Sequence, residues 1–152
     1  MVDHNAVGAE GAAYVLDVER GKIREFARAV MADDPAYLAE DEDRPTIPPT
    51  FLTTTFLWEG REGNPWIEVG MDVSRGLHAE QEYVFHGPPP RAGTRLTCRS
   101  RISEIYEKEG KRGGAMTFVK MLTEFRDPDG RLVAEATMTG VETAKPPTGG
   151  GI

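Results

Sequence analysis

Two histidines near the middle of the chain have a side chain suited to acid/base chemistry. In the segment LHAEQEY, residues 77–83, the alternation of a strand would put His78, Glu80 and Glu82 on one face. Carboxylates beside a histidine favour its charged form, which suits proton transfer. His78 is therefore a catalytic candidate, although the pattern also fits an ordinary exposed strand. His86 lies at the strand end, beside a glycine and three prolines, and has less support.

Metal and cofactor chemistry have no sequence signature in this chain. His78 and His86 are eight residues apart, without a second group of His or Cys at ligand spacing. No glycine-rich nucleotide loop and no nucleophile elbow is found in the sequence. The single cysteine, Cys98, falls on an apolar strand face, which favours packing over a role as nucleophile. We expect no metal, no cofactor and no disulfide.

Charge is distributed unevenly along the chain. The net charge of −7 argues against nucleic acid as a partner, since phosphate backbones are bound by Lys and Arg. Residues 91–112, however, carry seven basic and three acidic side chains. This local excess of positive charge could attract a phosphate-bearing or acidic ligand. It could also belong to a solvated strand face whose basic side chains form ion pairs. The basic residues are Arg91, Arg95, Arg99, Arg101, Lys108, Lys111 and Arg112.

An amphipathic helix is predicted over residues 19–30, after a short strand at 14–18. Apolar side chains recur in it at positions i, i+3, i+4 and i+7, with charged residues between them. Asp17 is the expected N-cap, and Pro35 ends the helical region because the residue before a proline avoids the α conformation. A second helix is expected over residues 50–58, although its three consecutive threonines also fit a strand.

Four longer strands are predicted in the C-terminal half, over residues 77–86, 94–107, 114–126 and 131–143. Turns that contain proline or glycine separate them, which predicts an antiparallel meander. The second of these strands has an apolar face and a basic face, and we expect the basic face to meet solvent, a subunit rim or a charged ligand. The two sets are Leu96, Cys98, Ser100 and Ile102, and Arg95, Thr97, Arg99 and Arg101.

The predicted fold class is α+β. An antiparallel sheet with one apolar face needs a cover, and the two early helices are the candidates. A sheet wrapped around a helix is the hot-dog fold, whose edge strands commonly pair in a dimer. We expect one domain over residues 13–144, with disordered tails at 1–12 and 145–152. With one cysteine and no long apolar segment, the chain is expected in the cytoplasm, without a membrane span.

The order of several short motifs resembles the MaoC-like dehydratases. The motifs are VERGKIREFARAV at 18–30, DPAY at 34–37, PPTF at 48–51, HAEQEY at 78–83, KRGG at 111–114 and DPDGRLVAE at 127–135. They extend the similarity over about residues 14–143. The resemblance is to the FAS1-like branch, which includes the substrate-binding subunit of mycobacterial 3-hydroxyacyl-ACP dehydratase. It implies a hot-dog fold and the hydration or dehydration of CoA or acyl-carrier-protein thioesters.

The catalytic motif that this resemblance implies is incomplete in the chain. Its pattern is Gly-Asp-x-Asn-Pro-x-His, in which the Asp and His hold and deprotonate a water or remove the proton α to the thioester carbonyl. Aligned on its proline, the Gly, Asp, Asn and His positions hold Met31, Ala32, Asp34 and Tyr37. Asp33 is one residue from the Asp position, but one step along a helix would turn it away. A tyrosine is a poor base at neutral pH.

Three functional hypotheses follow. The first is a substrate-binding subunit that pairs with a MaoC-like partner, which supplies the Asp and His. The second is a self-sufficient hydratase that uses His78 with Glu80 or Asp33. The third is a homodimeric acyl-thioester binding module without chemistry. A thioesterase of the same fold would need a carboxylate on the helix predicted over residues 50–58, and Glu59 is the nearest one.

The candidate site residues form three groups. The catalytic candidates are His78, Asp33 and Tyr37. The acyl-binding candidates are Thr50, Phe51, Thr54 and Trp58, whose aromatic members could equally be core between helix and sheet. The candidates for binding the diphosphate of CoA are Arg91, Arg95 and Arg112.

Overall fold

Five antiparallel strands form one sheet that organises the molecule. The computed structural model describes residues 1–61, 64–110 and 114–145. The strands lie in the order β1-β3-β4-β5-β2, and every neighbouring pair is antiparallel. Their bounds are β1 Tyr14–Asp17, β2 Gly76–Phe85, β3 Arg95–Glu109, β4 Ala115–Arg126 and β5 Leu132–Thr143. The α-helices are α1 Arg20–Ala29, α2 Pro35–Leu38 and α3 Pro65–Glu68, and the 3₁₀ helices are His4–Ala6, Phe51–Leu57 and Val73–Arg75.

The strand pairing corrects the predicted meander at β2. Strands β3, β4 and β5 follow one another as hairpins, whereas β2 pairs with β5 at the edge of the sheet. The connection from β2 to β3 is rich in proline, which lacks the amide that a hairpin turn uses. It is held instead by the 45–47 segment, since Ile47 donates to the Pro90 carbonyl at 3.2 Å and Ala92 donates to the Pro45 carbonyl at 3.0 Å. The chain thus passes from β2, at one edge of the sheet, to β3, which lies three strands away beside β1.

The alternation predicted for β3 is confirmed. Leu96, Cys98, Ser100 and Ile102 are fully buried on one side, which we call the inner face. Arg95, Thr97 and Arg99 are exposed on the other side, the outer face. Helix α1 and the 3₁₀ helix Phe51–Leu57 cover the inner face, because Ile23, Phe51 and Leu52 share one core cluster with Leu96 and Phe125.

Helix α1 is one residue shorter at each end than predicted, and its N-cap is different. Val18 is buried and donates its amide to the Thr94 carbonyl at 2.9 Å, so the chain stays extended up to this residue. The N-cap is therefore Glu19, and the prediction of Asp17 as the N-cap was wrong. Asp17 ends β1 and pairs with Arg95 at 3.0 Å.

The second predicted helix is the 3₁₀ helix Phe51–Leu57, which we call the central helix. Its three consecutive threonines are stiff at χ1, which lowers their propensity for a long α-helix. The Thr55 hydroxyl donates to the Leu52 carbonyl at 2.9 Å, which satisfies a backbone group within the tight turn. Leu52 is buried whereas Phe56 is 68% exposed, so the first residues of the central helix anchor the helix to the core.

The N-terminal segment differs from the expected disordered tail. Val2 and Ala6 are buried in a second core cluster with Ile102 and Val119. The Gly8 amide donates to the Ile102 carbonyl at 2.9 Å, so the segment runs along the free side of β3. Two small apolar residues and this edge pairing are enough to order a segment whose composition predicted fraying. Of the predicted C-terminal tail, residues 146–152 lie outside the described residues.

Across the described ranges, no helix combines the length and the apolar character needed to cross a membrane.

Candidate functional site

The C-terminus of α1 makes a tight corner at the position of the expected catalytic motif. Met31 has a φ of 57°, the one positive φ at a non-glycine residue in the described chain. The Met31 amide donates to the Arg28 carbonyl at 3.1 Å, and the Ala32 amide donates to the Ala27 carbonyl at 2.8 Å. These two bonds form a Schellman motif, in which glycine usually holds the left-handed position. Glycine is the residue that the motif of the resembled family has there.

The residues after the corner begin helix α2 in the way that the motif implies. The Asp34 carboxylate accepts a hydrogen bond from the Ala36 amide at 2.8 Å, and Pro35 occupies the first turn. An asparagine at the Asp34 position could make the same cap. Tyr37 is half-buried and packs against the core cluster of α1 and the central helix. The segment aligned with the motif therefore forms an ordered corner, with a left-handed residue at the glycine position, a cap at Asp34 and the proline in the first turn of α2.

The acid and base of that motif are absent. Ala32 offers a methyl group, and Tyr37 a phenol, at the two positions where a carboxylate and an imidazole would be needed. Asp33 is exposed to solvent rather than directed into the core. The corner retains a scaffold that could position catalytic groups, but this chain does not place an acid/base pair on it.

His78 does not share a face with Glu80, which corrects the predicted grouping. A β-bulge between them shifts the register, so that His78 pairs with Gly140 and Glu80 pairs with Thr139. Such a shift turns one of the two side chains to the opposite face. His78 lines an inner-face cavity of about 210 Å³ that it shares with Trp66.

His86 has a carboxylate partner that the sequence did not suggest. Its Nε2 lies 2.7 Å from Oε2 of Glu135, and both side chains are partly exposed. The two residues are 49 positions apart in sequence and meet because β2 pairs with β5. The predicted meander placed β2 beside β3 and not beside β5, so it did not bring His86 and Glu135 together.

The acyl-binding candidates have different environments. Phe51 is buried and packs edge-on against Phe26, with ring centroids 5.5 Å apart, as core aromatics do. Thr54 Oγ1 is buried without a hydrogen-bond partner. Thr50 is exposed, and Trp58 is partly exposed with Lys22 Nζ 5.2 Å from its ring centroid.

The basic candidates are engaged with neighbouring groups. Arg91 donates to the Arg44 carbonyl at 3.0 Å and lies 4.0 Å from the Glu42 carboxylate. Arg95 pairs with Asp17. Arg112, the third candidate, lies outside the described residues. The role of Arg91 and Arg95 in binding a diphosphate remains a prediction.

A larger cavity, of about 350 Å³, lies on the outer face and is lined by arginines and glutamates. Arg126 bonds Glu124 at 2.7 Å, and Arg99 lies 3.5 Å from Glu10. Because the sheet separates this cavity from the inner face, it does not contribute to a site beneath the central helix.

Polar groups from distant parts of the sequence meet beneath the central helix. The Ser100 and Thr123 hydroxyls are 3.0 Å apart and buried. Burial raises the pKa of the Tyr14 phenol well above its usual range, an effect that nearby Cys98 and Glu59 reinforce and nearby hydroxyls oppose. Burial also raises the pKa of the Glu59 carboxyl, and the Ser100 hydroxyl opposes this shift. Glu59 Oε1 nevertheless makes no well-formed hydrogen bond.

Two further inner-face groups show the same effect of burial. Burial raises the pKa of the Cys98 thiol to about 12, which makes it inert as a nucleophile at neutral pH. Burial raises the pKa of Tyr83, with the Thr53 hydroxyl opposing the shift. One residue in the sequence indicated polar groups on the inner face: Ser100, a hydroxyl on the otherwise apolar face of β3.

No group of three His, Cys, Asp or Glu side chains within residues 1–61, 64–110 and 114–145 is arranged to hold a metal ion.

A five-stranded antiparallel sheet over a short central helix defines the hot-dog fold of the dehydratases and hydratases. The chain belongs to the FAS1-like, dehydratase domain region family, whose model it matches over residues 5–136. A UPF0336 protein of Mycobacterium leprae is 32% identical over 128 residues, which is 80% of this chain and 74% of that protein.

Solved structures show the same arrangement. A chain of the C-terminally truncated HadBC (3R-hydroxyacyl-ACP dehydratase) complex from Mycobacterium tuberculosis is 27% identical, with a TM-score of 0.64, and the match covers 90% of this chain and 98% of that chain. The (R)-hydratase of A. caviae involved in PHA biosynthesis has the same fold at 15% identity, with a TM-score of 0.57 and a coverage of 88% and 94%.

Proposed function

We propose that this chain is the substrate-binding subunit of a dehydratase or hydratase that acts on 3-hydroxyacyl or enoyl thioesters of CoA or an acyl carrier protein. A MaoC-like partner supplies the catalytic Asp and His. One observation carries the proposal: the corner from Met31 to Tyr37 keeps the backbone of the motif while Ala32 and Tyr37 replace its acid/base groups. The proposal places the protein in the cytoplasm, which suits a single buried thiol.

A free edge strand and nearby exposed apolar side chains support the proposal that a partner subunit binds here. In the described chain β2 is hydrogen-bonded to β5 alone, so its other edge is free to pair. Leu77 and Val84 on this strand are 48% and 41% exposed, and nearby Val73 is 88% exposed. A free edge beside apolar side chains favours the addition of a second sheet. The match to one chain of the HadBC complex favours a related catalytic subunit as occupant over a second copy of this chain.

A self-sufficient hydratase is the alternative, because His78 lines a cavity beside Trp66. The bulge that separates His78 from Glu80 weakens it. Replacement of His78 by Ala tests it: turnover that depends on His78 in a folded variant supports the alternative, and unchanged turnover excludes it.

Reconstitution tests the proposed function directly. The chain is mixed with a MaoC-like protein from the same genome that has an intact Asp and His, and complex formation is measured by light scattering. Isothermal titration of the chain with crotonyl-CoA, and with CoA as control, measures acyl recognition. We expect binding that depends on the acyl group, and turnover in the complex. A chain that binds neither the partner nor the acyl thioester would overturn the proposal.

A further inference from the structure

The ordered N-terminal segment forms one wall of the outer-face cavity. Glu10 forms an isolated bridge with Arg101 of β3, and the Gly11 amide donates to the Ser100 carbonyl at 2.8 Å, so the segment continues the edge pairing that β1 begins. Glu10 and Ala13 line the cavity from this side, and residues of β3 and β4 line the rest. Its volume of about 350 Å³ lies in the range of about 300–1,000 Å³ that is usual for small-molecule sites.

The lining of this cavity is positively charged, although the protein as a whole is acidic. Three arginines face two glutamates, so the formal charge of the lining is +1 in a chain with a net charge of −7. A concave region of positive charge in an acidic protein attracts anions and holds them better than the surrounding surface does. The charged residues are Arg99, Arg101, Arg126, Glu10 and Glu124.

Arg126 is held in place by the protein itself. Its Nε and Nη2 donate to Oε2 of Glu124 at 3.2 and 2.7 Å, and its Nη1 donates to the Gly130 carbonyl at 3.0 Å. A guanidinium with three such bonds has a fixed position. Arg126 therefore forms a rigid wall of the cavity, and Arg99 and Arg101 are the arginines that a ligand can engage.

Arg99 and Arg101 have guanidinium groups available for an anion. They lie two residues apart on the outer face of β3, which separates them by roughly 7 Å along the strand. In the ranges that the structure describes, the half-buried Arg101 side chain has no ion pair and no hydrogen bond. Arg99 is 3.5 Å from Glu10, but both side chains are more than half exposed, and such pairs contribute little to stability. Both guanidiniums can therefore turn toward one shared oxyanion at little cost.

The same cavity offers groups that suit the hydroxyls of a ligand. Both bonds from Arg126 to Glu124 end on Oε2, so Oε1 accepts no hydrogen bond from the residues that the structure describes. Thr97, whose strand partner is Arg126, adds a hydroxyl to the lining. An inorganic phosphate would fill only a small part of a cavity in which a water takes up roughly 30 Å³. An organic anion that carries hydroxyl groups fits both the charge and the volume.

We propose that the outer-face cavity is a binding site for a hydroxylated organic anion of the sugar-phosphate class. Arg99 and Arg101 bind the phosphate, because the guanidinium fork matches the spacing of its oxygens, and Glu124 and Thr97 bind the hydroxyls. The site goes beyond the proposed function, since the sheet separates it from the inner face. The same chemistry occurs in free sugar phosphates and in the phosphorylated ribose of CoA.

Calorimetric titration of the full chain tests the site. The ligands are ribose 5-phosphate, inorganic phosphate and ribose. We expect ribose 5-phosphate to bind at least tenfold more tightly than either of the other two, because it alone combines the anion with the hydroxyls. The titration is then repeated in the presence of CoA. Loss of ribose 5-phosphate binding identifies CoA as the source of the ligand, and unchanged binding identifies a free sugar phosphate.

An arginine variant assigns the binding to this cavity. Arg101→Gln should weaken the binding of ribose 5-phosphate at least tenfold, since it removes a charged donor that has no other partner in the described chain. Arg131→Gln is the matched control, because it removes the same charge from an exposed pair with Asp127 that does not line the cavity. We expect the control to bind as the wild type does.

A glutamate variant tests the opposite direction. Glu10→Gln should strengthen the binding of ribose 5-phosphate about threefold, because it releases Arg99 from its exposed pair. Glu25→Gln, at an exposed position of α1 on the other side of the sheet, makes the same change of charge and should have no effect. Circular dichroism confirms that each variant is folded.

Three results would overturn the inference. They are the absence of ribose 5-phosphate binding at millimolar concentration, equal affinity for ribose 5-phosphate and inorganic phosphate, and equal weakening by Arg101→Gln and Arg131→Gln. The last result would show a response to overall charge alone. None of them bears on acyl-thioester binding or on the partner subunit, so the proposed function stands or fails by its own reconstitution experiment.

Discussion

The amide of Ala32 donates to the carbonyl of Ala27 at 2.8 Å and closes the C-terminus of α1. This bond fixes the backbone of residue 32, where the resembled catalytic motif has its Asp. The corner is closed and hydrogen-bonded, and it carries a methyl group at the position that aligns with the Asp of the resembled motif. The local fold of this segment is therefore intact although the aligned Asp and His are replaced by Ala32 and Tyr37.

Met31 adopts a strained backbone conformation to form this corner. Its side chain is 89% exposed, so the left-handed φ of 57° has little compensation from packing. We expect Met31→Gly to stabilise the protein by about 0.5–1 kcal/mol in urea unfolding, because glycine adopts this region without a Cβ clash. Met31→Ala, which keeps the Cβ, is the control and should have no such effect. A loss of stability in Met31→Gly would contradict the assignment of the corner.

Phe51 anchors the central helix to the sheet. It is 1% exposed and packs edge-on against Phe26. Phe51→Ala should lower the free energy of unfolding by about 3–5 kcal/mol, since it leaves a cavity in the main core cluster. Phe56→Ala removes the same atoms from a side chain that is 68% exposed, and should cost less than about 0.5 kcal/mol. Equal effects of the two substitutions would show that the central helix is not anchored through Phe51.

Glu142 forms a buried ion pair that ties β5 to the start of β2. Its carboxylate is 2.6 Å from Arg75 Nη2 and accepts the Asp72 amide at 2.8 Å, with its side chain 7% exposed. Glu142→Ala should cost about 2 kcal/mol in thermal or urea unfolding, because it removes the buried acceptor of the Asp72 amide and one of the two carboxylate partners of Arg75, which keeps its 2.9 Å contact with Asp72. Asp17→Ala, which breaks an exposed pair with Arg95, is the control and should cost at most about 1 kcal/mol. Similar costs would refute the distinction between the two pairs.

Glu59 should make stability depend on pH. Burial raises the pKa of its carboxyl above the ordinary value of 4.5, so the folded state holds this proton more tightly than the unfolded chain. Its contribution to stability is present below pH 4.5 and is lost as the pH rises through the raised pKa. The free energy of unfolding of the wild type, minus that of Glu59→Gln, should therefore fall between pH 4 and pH 8 in urea titrations. A difference that is constant or rises with pH would contradict the buried position of this carboxyl.

The sequence predicted the local elements well because they depend on short-range periodicity. The alternation in β3 and the amphipathic stripe of α1 both identify their buried faces, as Leu96 and Ile23 show. The alignment of the catalytic motif predicted Met31 at a glycine position, and its positive φ agrees. Predictions failed where long-range pairing decides the result. The position of β2 beside β5 and the pair of His86 with Glu135 depend on it.

The polar groups beneath the central helix could not be predicted for the same reason. Tyr14, Ser100 and Thr123 come from β1, β3 and β4 and Glu59 follows the central helix, and each taken alone is an ordinary residue in the sequence. The bulge at His78 adds a second obstacle, since one extra residue reverses the face of every side chain on one side of it. Turn chemistry gives no sign of such a bulge inside a strand.

The rate of crotonyl-CoA hydration by the purified chain alone tests the central claim most directly. We expect no turnover above the uncatalysed rate, because Ala32 and Tyr37 leave the site without an acid/base pair, and we expect turnover to appear when the catalytic partner is added. Robust hydration by the chain alone, in a preparation shown by mass spectrometry to lack any partner, would contradict the account.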